Sequence, residues 1–445
     1  MTFQILTDGE HVARWAETFR TAPVAARLTG LDRTALEVFL ACKAISRHCF
    51  ILESLEDAED SGRYTFIGYD PVMELTCKDG TLTIHSGADV EMEVDSPAPY
   101  ITKVVADTLG PRVEGLPPFT GGLAGYISFD YLTYAEPSVR LDAEDEENFR
   151  DIDLMLFDKV IAFDNLTNEV FLIATIKLDL WQENYNRALR TLDDMASLVT
   201  DGALLTPQPL QVTGEFEALF DKDGFADVIA RAKNHIYEGD IFQVVLSNRL
   251  RAPAVGNLFD TYTLLRQTNP SPYMFYFSSD DLEIAGASPE TLVKLTGEDV
   301  VTFPLAGTRP RGKTEEEDSQ AEADLLADEK ELAEHNMLVD LGRNDVGKIA
   351  QIGTVEVRDY LSVLRFSHVM HIGSAVTGKV RPGVSAMDVV DAVLPAGTLS
   401  GAPKIRACEI INDLEGIKRG VYGGAIGYIS STGDLDTCIA IRLAY

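Results

Sequence analysis

The chain has 445 residues, of which 45% are hydrophobic and 24% charged, and it carries a formal net charge of −33. That length holds one large or two ordinary domains with full cores. The acidity argues against nucleic acid or an anionic membrane as partner, because long-range repulsion opposes approach, so an anionic substrate must be held by local cations or a metal.

Residues Met1–Glu10 contain neither a basic n-region nor an apolar h-region, which predicts no secretory signal. No apolar run approaches the length of a membrane span. The cysteines, Cys42, Cys49, Cys77, Cys408 and Cys438, are odd in number, scattered and without CxxC spacing. They read as buried thiols in a reducing cytoplasm rather than as disulfides or a zinc site.

The first half reads as mostly strands, at 50–54, 63–68, 72–76 and 81–84, each short, β-branched and bounded by turn residues. The run 117–130 combines close glycines with aromatics and suggests tightly packed backbone in a sheet. Asp142–Glu147 is a solvated acidic loop, followed by a strand at 168–176 and a helix at 179–200. Asp201–Thr213 has turn residues and no period, so it reads as a linker between an N-terminal region, 1–205, and a C-terminal region, 215–445. A helix is predicted from Lys222 to Tyr237, capped near Asp221 or Asp223. Beyond it, strands at 242–251, 273–277, 292–296, 421–430 and 436–444 alternate with helices at 256–267, 320–341, 385–393 and 404–413. Without a strict βαβ rhythm or a Rossmann or phosphate-loop fingerprint, the expectation is α+β. Large, mainly antiparallel sheets would form a sandwich-like core with helices outside.

The stretch Asp328–Asp345, read as a helix, places Glu331 and Glu334 on one face while Leu332, Met337, Leu338 and Leu341 pack inward. Two carboxylates on a rigid helix suit a hard cation such as Mg²⁺; a solvated acidic face is the bland alternative.

Several segments taken together resemble one family, the chorismate-utilising enzymes, and within it the component I branch of the anthranilate synthases. They are 239–247, 269–275, 287–290, 304–312, the Glu334 helix, 366–368, 397–404, 422–427 and 434–442. The N-terminal half matches more loosely, through Leu52–Ser54 and 117–130. The resemblance implies the chorismate-binding enzyme fold and a dianionic substrate. It implies Mg²⁺ held by Glu334, with Glu331 as auxiliary ligand, on the ring carboxylate. Tyr422 and Arg442 match positions that hold the enolpyruvyl carboxylate, and Arg442, in an apolar run, is expected to be buried with a partner. Thr398, Thr308 and Gly307 would contact substrate. His368 matches the active-site histidine, a group suited to handling a ring proton. His371 is a weaker alternative, His335 reads as packing, and Lys404 either faces the pocket or caps a helix start.

Two positions speak to the nucleophile. Water-activating relatives carry a lysine base where this chain has Gln243, and relatives with a lysine nucleophile carry it where this chain has Ala306. What remains is attack of ammonia at ring C2 with loss of the C4 hydroxyl, then pyruvate elimination to anthranilate. Aminodeoxychorismate synthase and a catalytically impaired tryptophan-sensing paralogue are the rival readings. The resemblance further implies a glutamine amidotransferase subunit as ammonia source in a hetero-oligomer. It also implies an L-tryptophan feedback site at Glu53, Ser54, Pro270, Tyr273 and Met274, in which an acidic residue pairs with the α-ammonium and Met274 lines an indole slot. Relatives continue past the equivalent of Tyr445 with a helix bearing a second metal-binding glutamate. The sequence therefore reads as a fragment whose retained residues look intact.

Overall fold

In the computed structural model, which describes residues 2–55, 62–366 and 369–445, two large sheets face each other and helices cover both outer faces. Among the described residues one sheet has nine strands, in the order Thr2–Ile5, Thr21–Thr29, Glu169–Lys177, Lys159–Asp164, Tyr64–Tyr69, Cys49–Glu53, Tyr273–Ser278, Glu283–Ser288 and Leu443–Ala444. The other has twelve. Its order runs Leu305–Pro310, Val369–Lys379, Asp299–Thr302, Thr291–Thr296, Leu435–Ile439, Ala425–Ser430, Gly122–Ile127, Ile152–Phe157, Met73–Lys78, Thr81–Ser86 and Ala88–Glu93, with Glu356–Arg365 also on Val369–Lys379. The strand pairs within both sheets are antiparallel, as the turn-punctuated sequence implied.

Strand alternation builds the layers. In Cys49–Glu53, Phe50 and Leu52 point between the sheets and join Phe66, Phe119, Phe157, Phe275 and Tyr428 in an aromatic core. Cys49 and Ile51 point the other way, against the helices Ala35–Ile45, Trp181–Asp201 and Phe259–Thr268. The outer face of the twelve-stranded sheet packs likewise on Ala98–Asp107, Glu329–Ile349 and Ala386–Val393.

Both sheets draw strands from both halves of the chain, so the irregular segment after Trp181–Asp201 joins two interleaved parts of one layered unit rather than separate cores. Three other expectations change. The helix predicted at 320–341 is two helices, Glu315–Ala327 and Glu329–Ile349, because the Asp328 backbone turns extended and its carboxylate accepts from the amides of Lys330 and Glu331. The strand predicted at 242–251 pairs only at Gln243–Val244 and Leu250–Arg251. The strand predicted at 436–444 stops at Ile439; Arg442 has φ +51°, and Leu443–Ala444 then crosses to the other sheet. The helices Gly9–Trp15, Ala35–Ile45 and Ala98–Asp107 had no counterpart in the sequence reading.

The close backbone foreseen at 117–130 is real. Gly122 has φ +136°, and a Cβ there would lie 2.2 Å from the Ile429 carbonyl oxygen. Gly122→Ala should therefore cost on the order of 2–4 kcal/mol, since neither the φ nor the neighbouring strand can yield cheaply. Calorimetry should show Tm falling by several degrees; an unchanged Tm would contradict the packing.

Candidate active site

The helix Glu329–Ile349 fixes the first wall. Its Asp328 cap is also held by Arg309 Nη2 at 2.7 Å. Leu338, Val339, Val346 and Ile349 are buried along it, leaving Glu331 and Glu334 half-buried on one face. Gln243, positioned because its short strand pairs with Gly401–Ala402, donates Nε2 to Glu334 Oε1 at 3.0 Å. That bond orients the amide and leaves Gln243 Oε1 buried with no partner. Glu331 Oε1 sits 3.7 Å from Arg309 Nη1, and its other oxygen would be 3.3 Å from a Cβ on Gly307, whose φ is +64°. No group of three potential metal ligands occurs among the described residues. The pair offers only oxygen donors, which fits a hard divalent cation completing its shell with water and substrate oxygens.

The second wall holds a group to which the sequence reading gave no role. Glu290 follows Ser288-Pro289 into the strand Thr291–Thr296 and is buried; Thr398 Oγ1 donates to its Oε1 at 3.1 Å. Burial pushes its carboxyl up to about 8, opposed by the Thr398 and Leu305 hydrogen bonds and the Arg442 charge. At neutral pH this carboxyl is an acid carrying its proton. The available signal was a glutamate set between two apolar strands. Glu290 and Thr398 share a narrow cavity with Thr291, Phe303, Leu338 and Asp345.

His371 closes the third side. Its Nδ1 lies 2.8 Å from Gly307 O and 3.1 Å from Thr308 Oγ1, on the strand Val369–Lys379. A carbonyl only accepts, so Nδ1 carries the hydrogen and Nε2 the lone pair. Burial, with the Arg442 charge adding to it, depresses its pKa, so the ring is neutral near pH 7. His368 lies outside the described residues.

Arg442 departs from expectation. It is exposed, sits past the end of its strand, and its guanidinium makes no hydrogen bond or ion pair with another described residue. Its charge nonetheless acts on both Glu290 and His371, which places an unneutralised cation at the site. Tyr422 is half-buried, with the Arg419 guanidinium 5.6 Å from its ring centre. Ala306 is a buried methyl in the strand Leu305–Pro310. Lys404 neither faces a pocket nor caps its helix: Nζ donates to Asp345 Oδ2 at 2.6 Å and Val393 O at 2.7 Å. His335 is buried against Ser374 Oγ at 2.7 Å, a packing role.

A second cavity, about 410 Å³, opens between the sheets. Leu52, Tyr64, Phe66, Tyr273, Phe275, Tyr428 and Asp436 line it, as does Ser54. Pro272, not the exposed Pro270, belongs to it. Glu53 and Met274 border it too, but they are register partners on the face turned toward the helices. Met274 packs in that helix-side core, and the Glu53 carboxylate accepts from Tyr262 Oη at 2.5 Å and Arg266 Nε at 2.7 Å. Glu53 thus spends one oxygen on Tyr262 and Arg266, while its other oxygen is buried without a partner. A second carboxylate lining the cavity is that of Asp436, bonded to Tyr273 Oη at 2.8 Å and 3.3 Å from Lys294 Nζ.

The chorismate binding enzyme family matches residues 47–445. Anthranilate synthase component 1 of Aquifex aeolicus (strain VF5) is 41% identical over 440 residues, covering 98% of this chain and 89% of that protein. The protein of the same name from Acinetobacter calcoaceticus is 42% identical over 440 residues, covering 95% and 87%. The crystal structure of anthranilate synthase component I from Streptococcus pneumoniae TIGR4 superposes with a TM-score of 0.72 at 36% identity, covering 87% of this chain and 85% of that one. The menaquinone-specific isochorismate synthase from Escherichia coli shares the fold, with a TM-score of 0.68 at 18% identity. Among the described residues no helix is long and apolar enough to cross a membrane.

The state of Glu290 is directly testable. Infrared titration of wild type minus Glu290→Gln should show a carboxyl ionising near pH 8; ionisation near the ordinary 4.5 would contradict the burial argument. Because the folded value is raised, its contribution to stability is full below the unfolded value and is lost as pH rises through the folded one. Tm of the wild type should thus fall from about pH 5 to about pH 8, and Glu290→Gln should flatten that decline.

Proposed function

This chain is a member of the chorismate binding enzyme family, and from that premise we propose that it is the chorismate-binding component of an anthranilate synthase, adding ammonia to chorismate and eliminating pyruvate. The observation that carries the choice of nucleophile is that Gln243 and Ala306 leave the two diagnostic positions without an amine, while the Gln243 amide is fixed on Glu334. Relatives at 41% and 42% identity bear the anthranilate synthase component 1 name.

In this reading the orphaned Gln243 Oε1 accepts an N–H of ammonia and aims its lone pair at ring C2. As the C2–N bond forms, the C1=C2 pair shifts to C1=C6, the C5=C6 pair shifts to C4=C5, and the C4–O bond breaks. Glu290, kept neutral by burial and oriented by Thr398, delivers its proton so that the C4 hydroxyl leaves as water. The new C2 ammonium sheds a proton that restores the Glu290 carboxyl. His371 Nε2 then takes the C2 proton as the C3–O bond breaks and the ring becomes aromatic, and the imidazolium returns that proton to the methylene carbon of the released enolpyruvate, giving pyruvate. Arg442, unpaired at the site, and the Tyr422 hydroxyl hold the enolpyruvyl carboxylate. Thr308 and the Gly307 backbone border the ring. Glu331 and Glu334 would hold Mg²⁺, which when bound neutralises the ring carboxylate in an otherwise acidic setting. Ammonia is mostly protonated near pH 7, so delivery from a glutamine amidotransferase subunit completes the proposal.

The inter-sheet cavity is the proposed L-tryptophan site. Tyr64, Phe66, Phe275 and Tyr428 offer ring faces to an indole, with Ser54 and Asp436 at the polar end. Asp436 takes the ammonium-pairing role first assigned to Glu53. Thr291 and Phe303 line both this cavity and the one containing Glu290, and Tyr273 Oη lies 3.0 Å from Thr291 Oγ1. A ligand pressing on Tyr273 therefore acts one residue away from the catalytic acid.

The test is anthranilate fluorescence from chorismate, Mg²⁺ and ammonium salt. The rate should rise with pH as free ammonia accumulates and fall as Glu290 ionises through about 8. Glu290→Gln should lower kcat by roughly 10²- to 10⁴-fold. Formation of aminodeoxychorismate without pyruvate, or an active Glu290→Gln enzyme, would overturn the scheme. Tryptophan should inhibit, and Asp436→Asn should raise the half-inhibitory concentration about tenfold or more; unchanged inhibition would refute the cavity assignment.

A further inference from the structure

Arg419 is buried, and its side chain is 2% exposed. Four donations leave its guanidinium: Nε to Glu415 Oε2 at 2.8 Å, Nη2 to Glu415 Oε1 at 2.6 Å, Nη1 to Leu399 O at 2.7 Å, and Nη2 to Val245 O at 2.8 Å. Glu415 Oε1 in turn accepts from the amide and hydroxyl of Ser247 at 2.7 and 3.0 Å. The guanidinium plane also lies 4.7 Å from the Phe129 ring centre and 5.6 Å from that of Tyr422.

Each contact sits beside a group already placed at the candidate site. Leu399 follows Thr398, which holds Glu290. Val245 lies two residues after Gln243, and its own N–H bonds Ser400 O at 2.9 Å. The Tyr422 ring rests against the cation itself. These segments come from a short strand, a 3₁₀ turn at Gly397–Leu399 and a loop, none of which has enough regular hydrogen bonding to fix itself. A buried arginine with a planar fork can fix the relative placement of several carbonyls at once, and a lysine cannot. Burying the Arg419–Glu415 pair carries a large desolvation cost, and a well-packed apolar pair would fill the same space more cheaply.

We infer that Arg419, clamped by Glu415, is a positioning residue that sets Gln243, Thr398 and Tyr422 in register around the ring, so that its removal degrades turnover through Glu290 rather than through folding alone. The inference rests on the function proposed above. It touches no substrate atom.

The test uses the full chain with ammonium salt as donor, comparing wild type, Arg419→Lys and Glu415→Gln, each with Tm recorded. Arg419→Lys should lower kcat of the folded enzyme on the order of 10- to 100-fold, as expected for a sub-ångström to ångström displacement of reacting groups. The high-pH limb, near 8 in the wild type, should also move, because Thr398 no longer holds Glu290 in place. In a Thr398→Val background the loss from Arg419→Lys should shrink markedly, since both act through one contact. Should Arg419→Lys fail to accumulate as folded protein, Glu415→Gln keeps the shape and carries the same expectations. A lowered Tm with kcat and pH limb unchanged, or losses that simply multiply with Thr398→Val, would overturn the inference. A wild type that makes no anthranilate at all would instead overturn the function on which it rests.

Discussion

Withdrawal of one carboxyl from water organises this molecule. Glu290 has no cation bonded to it; its partners are a hydroxyl and a backbone amide, and burial outweighs both. A protein with a net charge of −33 has acidic groups to spare, and several others are buried too, Asp130, Asp153 and Asp345 among them. In the cavity lined by the helix Glu329–Ile349, Glu290 is dry enough to keep its proton. The walls around it follow from that need. One helix face carries the two carboxylates of Glu331 and Glu334, and the cavity beside that helix holds the buried carboxyl of Glu290. In the proposed function the same residue type performs two tasks because the surroundings differ.

The layered fold brings the two proposed sites close while keeping them separate cavities. The aromatic core between the sheets leaves a cavity on one side of the strand Thr291–Thr296, and the candidate catalytic pocket lies at its start. Period-2 alternation decides which side chains reach the cavity. It admits Tyr273 and Phe275 and turns Glu53 and Met274 toward the helices. Backbone crossing at Arg442, with its left-handed φ, lets one short segment close the nine-stranded sheet while leaving a guanidinium free beside Glu290 and His371.

Much of this was legible in the sequence, and the failures have physical causes. Glu331 and Glu334 share a face because helical periodicity is strong there, and the diagnostic character of Gln243 and Ala306 needs only residue identity. The break at Asp328 was hidden by good helix formers on both sides; a local cap overrode propensity. Arg442 was read as buried because its neighbours are apolar, but the turn after Ile439 exposes it. Which face of its strand Glu53 takes depends on how that strand sits in the sheet, which a single strand cannot reveal. Glu290 and Arg419 were missed for a different reason. Their importance lies in burial and in contacts to distant carbonyls, and no local pattern encodes either.

The central claim is that ammonia, not water or a lysine, attacks the ring at a site whose leaving group is protonated by a buried acid. The most direct measurement is a single turnover of chorismate with ¹⁵N-ammonium in ¹⁸O-water, followed by NMR and mass spectrometry of the products. The account predicts ¹⁵N on the aromatic carbon next to the carboxylate, pyruvate in equal amount, and no ¹⁸O on the ring. Ring ¹⁸O without nitrogen, or a covalent adduct between substrate and protein, would contradict it.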